Sequence, residues 1–220
     1  MKLTKSKMSF LNMKVSLVAA TAPTSNISEQ FRTIRTNYLS SIDCKNARTI
    51  MISSANGQEG KSTVAANFAI SLAQQGKKVL LIDANLRNPI LDFSFKVNNS
   101  IGLSTVLNGR VRFEDAVADT GINGVDLLPS GPVPINPAEL LGSVNMESLI
   151  HRLAGLYEVV LLDTSSILEI SDAKILANQC DGLIIVIRSG KTKSEDMIKV
   201  KKQLKHCKTK LLGIILNETN

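Results

Sequence analysis

From residue 48 to the end of the chain, short β-forming apolar runs alternate with segments whose apolar residues recur at helical spacing. This alternation constrains the fold most. Strands separated by helix-length connections pair in parallel, and the connecting helices cover both faces of the sheet. The strand candidates are Arg48–Ser54, Lys77–Asp83, Gly124–Leu128, Glu158–Asp163, Gly182–Arg188 and Lys210–Asn217. Val79–Ile82 and Leu183–Ile187 are apolar without a break, the pattern of strands buried on both faces. Lys61–Gln75 carries apolar residues at 64, 65, 68, 69 and 72, with Gly76 placed to end the helix. Asn136–Leu156 opens Asn-Pro-Ala-Glu, a helix start, with Gly142 positioned to split it. Ser194 is expected to cap a helix over Glu195–Cys207, and Ser28 one over Ile27–Tyr38. The expected class is α/β, a doubly wound, mostly parallel sheet.

The strongest chemical signal lies between the first strand and the helix at Lys61. Ser54-Ala55-Asn56-Gly57-Gln58-Glu59-Gly60-Lys61-Ser62-Thr63 has the strand–loop–helix context of a phosphate-binding loop. Gly57 and Gly60 let the backbone curl so that N–H groups face phosphate oxygens, and the helix adds its positive amino-terminal end. In that motif Lys61 reaches the β- and γ-phosphates and the Ser62 hydroxyl sits on Mg²⁺. Ala55 stands where the pattern usually opens with glycine. The nucleotide is therefore expected against Gly57, Gln58, Glu59, Gly60, Lys61, Ser62 and Thr63.

Two aspartates end apolar strands, Asp83 after Leu80-Leu81-Ile82 and Asp163 after Val159-Val160-Leu161-Leu162. Carboxylates there face the crevice at the carboxyl edge of a parallel sheet, where ligands of open α/β folds bind. Asp163 is placed to hold Mg²⁺ directly or through water, which leaves Asp83 to orient or deprotonate an attacking hydroxyl. Capping of the next helix is the simpler alternative for either aspartate.

Composition narrows the partners. The 220 residues carry a net charge of +7, and the basicity sits in two segments. Residues 1–14 hold Lys2, Lys5, Lys7 and Lys14 with no acid, and 188–210 hold nine basic residues against Glu195 and Asp196. The remaining body is slightly acidic, which argues against a nucleic-acid surface. Residues 1–24 read as a basic arm and 25–220 as a single domain. No run approaches the roughly 18 apolar residues of a membrane span. Val15–Ala22, behind its lysines, is too short and polar for a signal peptide. Cys44, Cys180 and Cys207 form no disulfide or metal pattern, and His151 and His206 no histidine site.

Several longer motifs resemble the bacterial tyrosine kinases of capsule and exopolysaccharide synthesis, of the cytosolic Gram-positive type. They are Glu29-Gln30-Phe31-Arg32-Thr33-Ile34-Arg35-Thr36-Asn37, the loop 54–63, Leu81-Ile82-Asp83-Ala84-Asn85-Leu86-Arg87-Asn88-Pro89, and the stretch from Leu128 through Ser130-Gly131-Pro132-Val133-Pro134-Ile135-Asn136-Pro137 to Leu141. Asp181 through Thr192 and Gly213–Asn217 fit the same pattern, so the resemblance spans about residues 25–217. It implies a P-loop fold of the deviant-Walker type shared with the cell-division and plasmid-partition ATPases MinD and ParA. It further implies ATP and Mg²⁺, with Lys61 on the phosphates, Ser62, Asp83 and Asp163 at the metal, Asp83 near the acceptor hydroxyl, and Asn217 beside adenine. Such kinases work with a membrane-spanning activator, a polysaccharide copolymerase whose cytosolic tail completes the site, and phosphorylate protein tyrosines. Glu29, Arg32 and Arg35 fall on one helix face, and the resemblance assigns that face to a homo-oligomeric ring. The expected location is the cytoplasm, with the lysine-rich arm recruiting the protein to the inner face of the membrane.

Four departures qualify this. Asn85 stands where the family usually has a second carboxylate, Ser165 and Ser166 replace two prolines and leave that loop less constrained, and Asn56-Gly57 replaces the usual proline turn. The sequence also ends at Asn220 without a tyrosine-rich tail, which leaves Tyr38 and Tyr157, of which Tyr38 is expected to be the more accessible. A catalytically weak nucleotide-binding regulator on the same scaffold is the alternative that Asn85 and the missing tail favour. A MinD- or ParA-type ATPase is disfavoured because Asn56 occupies the place of its additional lysine.

Overall fold

In the computed structural model, residues 15–41 and 47–218 are described. Lys2, Lys5, Lys7, Lys14 and Cys44 lie outside the described residues. The chain opens with a helical turn, α1 (Val18–Thr21), followed by α2 (Asn26–Ser40), β1 (Thr49–Ser54), α3 (Lys61–Ala73) and β2 (Val79–Asp83). Three short helices follow, α4 (Leu91–Phe95), α5 (Leu103–Leu107) and α6 (Phe113–Ala116), then β3 (Ala118–Asp119) and β4 (Val125–Leu128). The second half runs α7 (Pro137–Leu141), α8 (Val144–Leu156), β5 (Val159–Asp163), α9 (Asp172–Leu176), β6 (Gly182–Arg188), α10 (Ser194–Leu204) and β7 (Lys210–Asn217).

The seven strands form one sheet in the order β3-β4-β2-β5-β1-β6-β7. Every pairing is parallel except the two-residue β3 edge against β4. Alternate side chains divide between two cores. Ile50, Ile52, Val79, Leu81 and Leu161 pack with Phe68, Ile70 and Leu72 of α3 and Phe31 and Tyr38 of α2. Met51, Leu80, Ile82, Val160 and Leu162 pack with Met146, Ile150 and Leu153 of α8 and Val200 of α10. Both faces are thus covered, which explains why the central strands tolerate no polar alternation.

Several local expectations shift by a cap. Ser25, not Ser28, caps α2, since its hydroxyl accepts from the Ser28 N–H at 3.2 Å. Lys193 takes the cap position of α10, and Ser194 is its first helical residue. Gly142 does split the 136–156 segment, because the Ser143 hydroxyl accepts from the Met146 N–H and starts a new helix, α8. Val15–Ala22, part of the segment read as an arm, lie against the body. The Ala19 N–H donates to Asn67 Oδ1 at 2.8 Å and the Gln74 amide donates to the Ala19 carbonyl at 2.8 Å. No helix among the described residues is long and apolar enough to cross a membrane.

Candidate active site

The phosphate-type loop leaves the buried end of β1 and is braced from three sides. Glu59, 1% exposed, turns inward, where one carboxylate oxygen accepts from the Asn56 N–H at 3.0 Å and the other from the Thr192 hydroxyl at 2.6 Å. Asn56 Nδ2 donates to Asp196 at 3.1 Å, and the Arg188 guanidinium donates to the Gln58 carbonyl at 3.3 Å. Asn217, at the end of β7, donates from Nδ2 to the Glu59 carbonyl at 3.1 Å. Helix α3 then begins without a side-chain cap, and Gly60 takes φ +89° in the left-handed region. The first-turn N–H groups are left for an anion, which is what a helix amino terminus offers.

The strand register supplies the carboxylates. Asp83 of β2 stands directly beside Asp163 of β5, and both are fully buried. Asp83 Oδ2 accepts from the N–H groups of Ile90 and Leu91 at 3.1 and 3.0 Å, and Oδ1 accepts from the Asn85 N–H at 3.3 Å. Burial, reinforced by the neighbouring Asp163 charge, outweighs these amides and pushes the Asp83 pKa up to about 7. Burial also raises Asp163, against the opposing pull of Lys61 and the Ser62 hydroxyl. Neither Asp163 oxygen has a hydrogen-bond partner of good geometry. Two unsatisfied anionic oxygens beside a hydroxyl and a like charge are the donor set a hard divalent cation takes, so Ser62, Asp83 and Asp163 fit Mg²⁺.

The loop after β5 is fixed without the prolines. Ser53 donates to the Ser165 carbonyl at 2.6 Å, Thr164 donates to the Ile52 carbonyl at 3.1 Å, and the Ile167 N–H donates to Ser54 at 2.9 Å. Serines 165 and 166 therefore do not leave it loose. Arg87, in the loop after β2, forms a two-point pair with buried Asp172 of α9 at 2.8 and 3.1 Å, which ties the two carboxylate-bearing loops together. Lys61, Ser62, Asn85, Asn88 and Glu169 meet around a cavity of about 480 Å³, with Val15 in its wall. A cleft of about 600 Å³ beside Arg48, Lys77 and Tyr157 is larger but lies at the amino-terminal ends of the strands, away from this chemistry.

A family model described as an AAA domain matches residues 47–215. The tyrosine-protein kinase YwqD of Bacillus subtilis (strain 168) is 48% identical over 206 residues, covering 93% of this chain and 86% of the relative. The chain belongs to the tyrosine-protein kinases with an AAA domain. The crystal structure of the chimerical protein CapA2B2 superposes on this kinase with a TM-score of 0.88 at 32% identity, covering 99% of both chains. The septum site-determining protein MinD of Pyrococcus horikoshii OT3, complexed with Mg-ADP, superposes at 0.67 and 31% identity, over 77% of this chain and 69% of that one. The P-loop fold of the kinase is thus shared with the MinD ATPases.

The kinase's own tyrosines are both shielded. Tyr38 is 8% exposed, donates to the Ala47 carbonyl at 3.1 Å and packs edge-on against Phe68. Tyr157 is 6% exposed and donates to Asp126 at 2.8 Å; burial, then that carboxylate, raises its pKa. Tyr38 is thus only marginally the more exposed of the two, and neither is accessible, because the apolar side of α2 turns the Tyr38 ring into the core. Sequence reasoning also missed Asp172 and Glu169, which belong to no short motif; Thr192 lies in a stretch the resemblance covers, but only the fold brings its hydroxyl to Glu59.

Of the oligomer-face residues, Glu29 is exposed and pairs with Arg32, which also donates to the Pro23 carbonyl at 2.6 Å. Arg35 turns inward and donates to the Ser71 carbonyl at 2.7 Å. Arg32 and Arg35 are both half-buried.

Proposed function

We propose that this kinase transfers the terminal phosphoryl group of ATP to tyrosine hydroxyls of other proteins, at the loop of Gly57–Thr63. The observation that carries this reading is Asp163, whose buried and unpartnered carboxylate faces Lys61 and Ser62 at the open amino terminus of α3. The Mg-ADP held by the similar MinD supports the same use of nucleotide and metal. Lys61 and the loop amides neutralise phosphate charge, Ser62 and Asp163 with Asp83 hold the metal, and Asn217 borders the base. Mg²⁺ supplies positive charge on the phosphate oxygens when bound. Asp83 positions the acceptor hydroxyl and takes its proton. Tyr38 and Tyr157, both buried, are poor acceptors.

The same reading places the protein in capsule or exopolysaccharide synthesis beside a membrane-spanning activator, with Lys2, Lys5, Lys7 and Lys14 drawing it to an anionic inner leaflet. Each lysine near such a surface is worth about 1 kcal/mol. Assembly into a ring through Glu29, Arg32 and Arg35 belongs to it as well. Arg32→Ala is expected to lower the oligomer mass in light scattering, whereas Arg35→Ala also lowers stability through the lost Ser71 contact.

The test is transfer of γ-labelled phosphate, with Mg²⁺ and an activator-tail peptide, to tyrosine on partner proteins. Lys61→Met is expected to abolish both nucleotide binding and transfer. Tight ATP binding by the wild-type chain with no transfer overturns the kinase reading and leaves a nucleotide-binding regulator.

A further inference from the structure

The segment after β5 brings to the phosphate-type loop a carboxylate that no motif assigns. Glu169 Oε1 accepts from the Gly57 N–H at 2.8 Å, and Oε2 accepts from the Ser166 hydroxyl at 2.5 Å. A Cβ built on Gly57 would lie 3.2 Å from both carboxylate oxygens, so Glu169 lies against that residue. The Ser166 hydroxyl, then the Gly57 amide, and then Lys61 and Lys191 lower its pKa, which keeps it ionised.

A second glutamate shows by contrast what Glu169 is suited to do. Glu59 also accepts a loop amide, but it is buried behind the loop and held on its other side by Thr192. It is a permanent brace. Glu169 is exposed, on the cavity side, and held by two hydrogen bonds that a stronger anion can replace. Its segment follows Asp163, which with Ser62 would hold a metal, and the metal of a P-loop site bridges the β- and γ-phosphates.

We propose that Glu169 is a specificity-determining residue that occupies the Gly57 amide and disfavours a triphosphate relative to a diphosphate. The inference rests on the nucleotide reading given above. On this reading a diphosphate would seat on the first-turn amides of α3, from none of which Glu169 accepts a hydrogen bond. The third phosphate meets its fixed negative charge and must displace it.

The test is titration calorimetry with Mg-ADP and with the Mg²⁺ complex of a non-hydrolysable ATP analogue, on wild type, Glu169→Gln and Ser166→Ala. Removing one unit charge a few ångströms from the terminal phosphate is expected to raise analogue affinity about tenfold, with ADP changing less than about twofold. Ser166→Ala, which frees the carboxylate to move, is expected to shift the same ratio in the same direction by a smaller factor. Equal gains for both nucleotides, or a loss of analogue affinity in Glu169→Gln, overturn the inference while leaving nucleotide binding intact. Failure of the wild-type chain and both variants to bind either nucleotide overturns the nucleotide reading and this inference with it.

Discussion

Replacing Gly60 by alanine tests how the loop is held open, because two separate penalties fall on that one atom. Gly60 sits at φ +89°, where an L side chain costs about 1–2 kcal/mol. The new Cβ would also lie 2.0 Å from Asn217 Nδ2, so the Asn217 side chain has to swing away. It then loses its 3.1 Å hydrogen bond to the Glu59 carbonyl, worth about 1 kcal/mol. The expected total is about 2–3 kcal/mol of stability, a fall in Tm of roughly 4–12 °C for a chain of this size. In an Asn217→Ala background the hydrogen bond is already gone and no amide stands in the way. Gly60→Ala should then cost only about 1–2 kcal/mol, a coupling of about 1 kcal/mol between the two sites. The effect of alanine on the unfolded chain is common to both backgrounds and cancels. Urea unfolding of the four proteins of this cycle gives the numbers. The same cost in both backgrounds, or a cost below about 0.5 kcal/mol in the first, refutes the reasoning.

Three further outcomes are expected, two at the carboxylate pair and one at the distant Tyr157. Asp83 binds its proton up to about pH 7 in the folded metal-free protein, whereas an unfolded aspartate loses it near 3.9. The folded state therefore holds more protons across that window, and metal-free stability should fall as pH rises from about 4 to 7. Asp83→Asn should flatten that slope and raise the metal-free Tm at pH 8, measured by thermal melts; a Tm no higher than wild type counts against the like-charge account. Asn85→Asp should lower metal-free stability by about 1–2 kcal/mol in a denaturant titration, since it removes the Nδ2 donor to the Asn88 carbonyl at 2.9 Å and adds charge beside Asp83. Added Mg²⁺ should recover much of that loss. Tyr157→Phe should cost about 1–2 kcal/mol by leaving the Asp126 carboxylate without its 2.8 Å donor, with unchanged nucleotide affinity as the control.

The fold was largely legible because its strands are buried on both faces and so read as unbroken apolar runs. Gly182–Arg188 and Lys210–Asn217 match their expected limits, and β1, β2, β4 and β5 fall within one or two residues of theirs. The short helices α4, α5, α6 and α9 span only four or five residues, too few for a periodic pattern to show, and the two-residue β3 carries no signal of its own. Caps moved by a few positions in α2 and by one in α10 for a related reason. Neighbouring serines and lysines offer nearly equal local choices of cap.

The candidate site divides in the same way. Lys61, Ser62, Asp83 and Asp163 could be named from the sequence because each ends a strand or starts a helix, and a parallel sheet brings all such ends to one edge. Their consequences needed the tertiary structure. The Asp83–Asp163 register decides that two carboxylates share one buried place, where burial raises both pKa values and the Asp163 charge adds to the rise of Asp83. The burial of Tyr38, the inward turn of Arg35 and the approach of Glu169 to Gly57 depend on contacts across 30 to 112 positions of the chain. Chain order fixed which groups would gather at the sheet edge, since strand and helix periodicity are local. Packing alone decided which groups face one another there, because side-chain contacts between distant segments leave no periodic trace in the sequence.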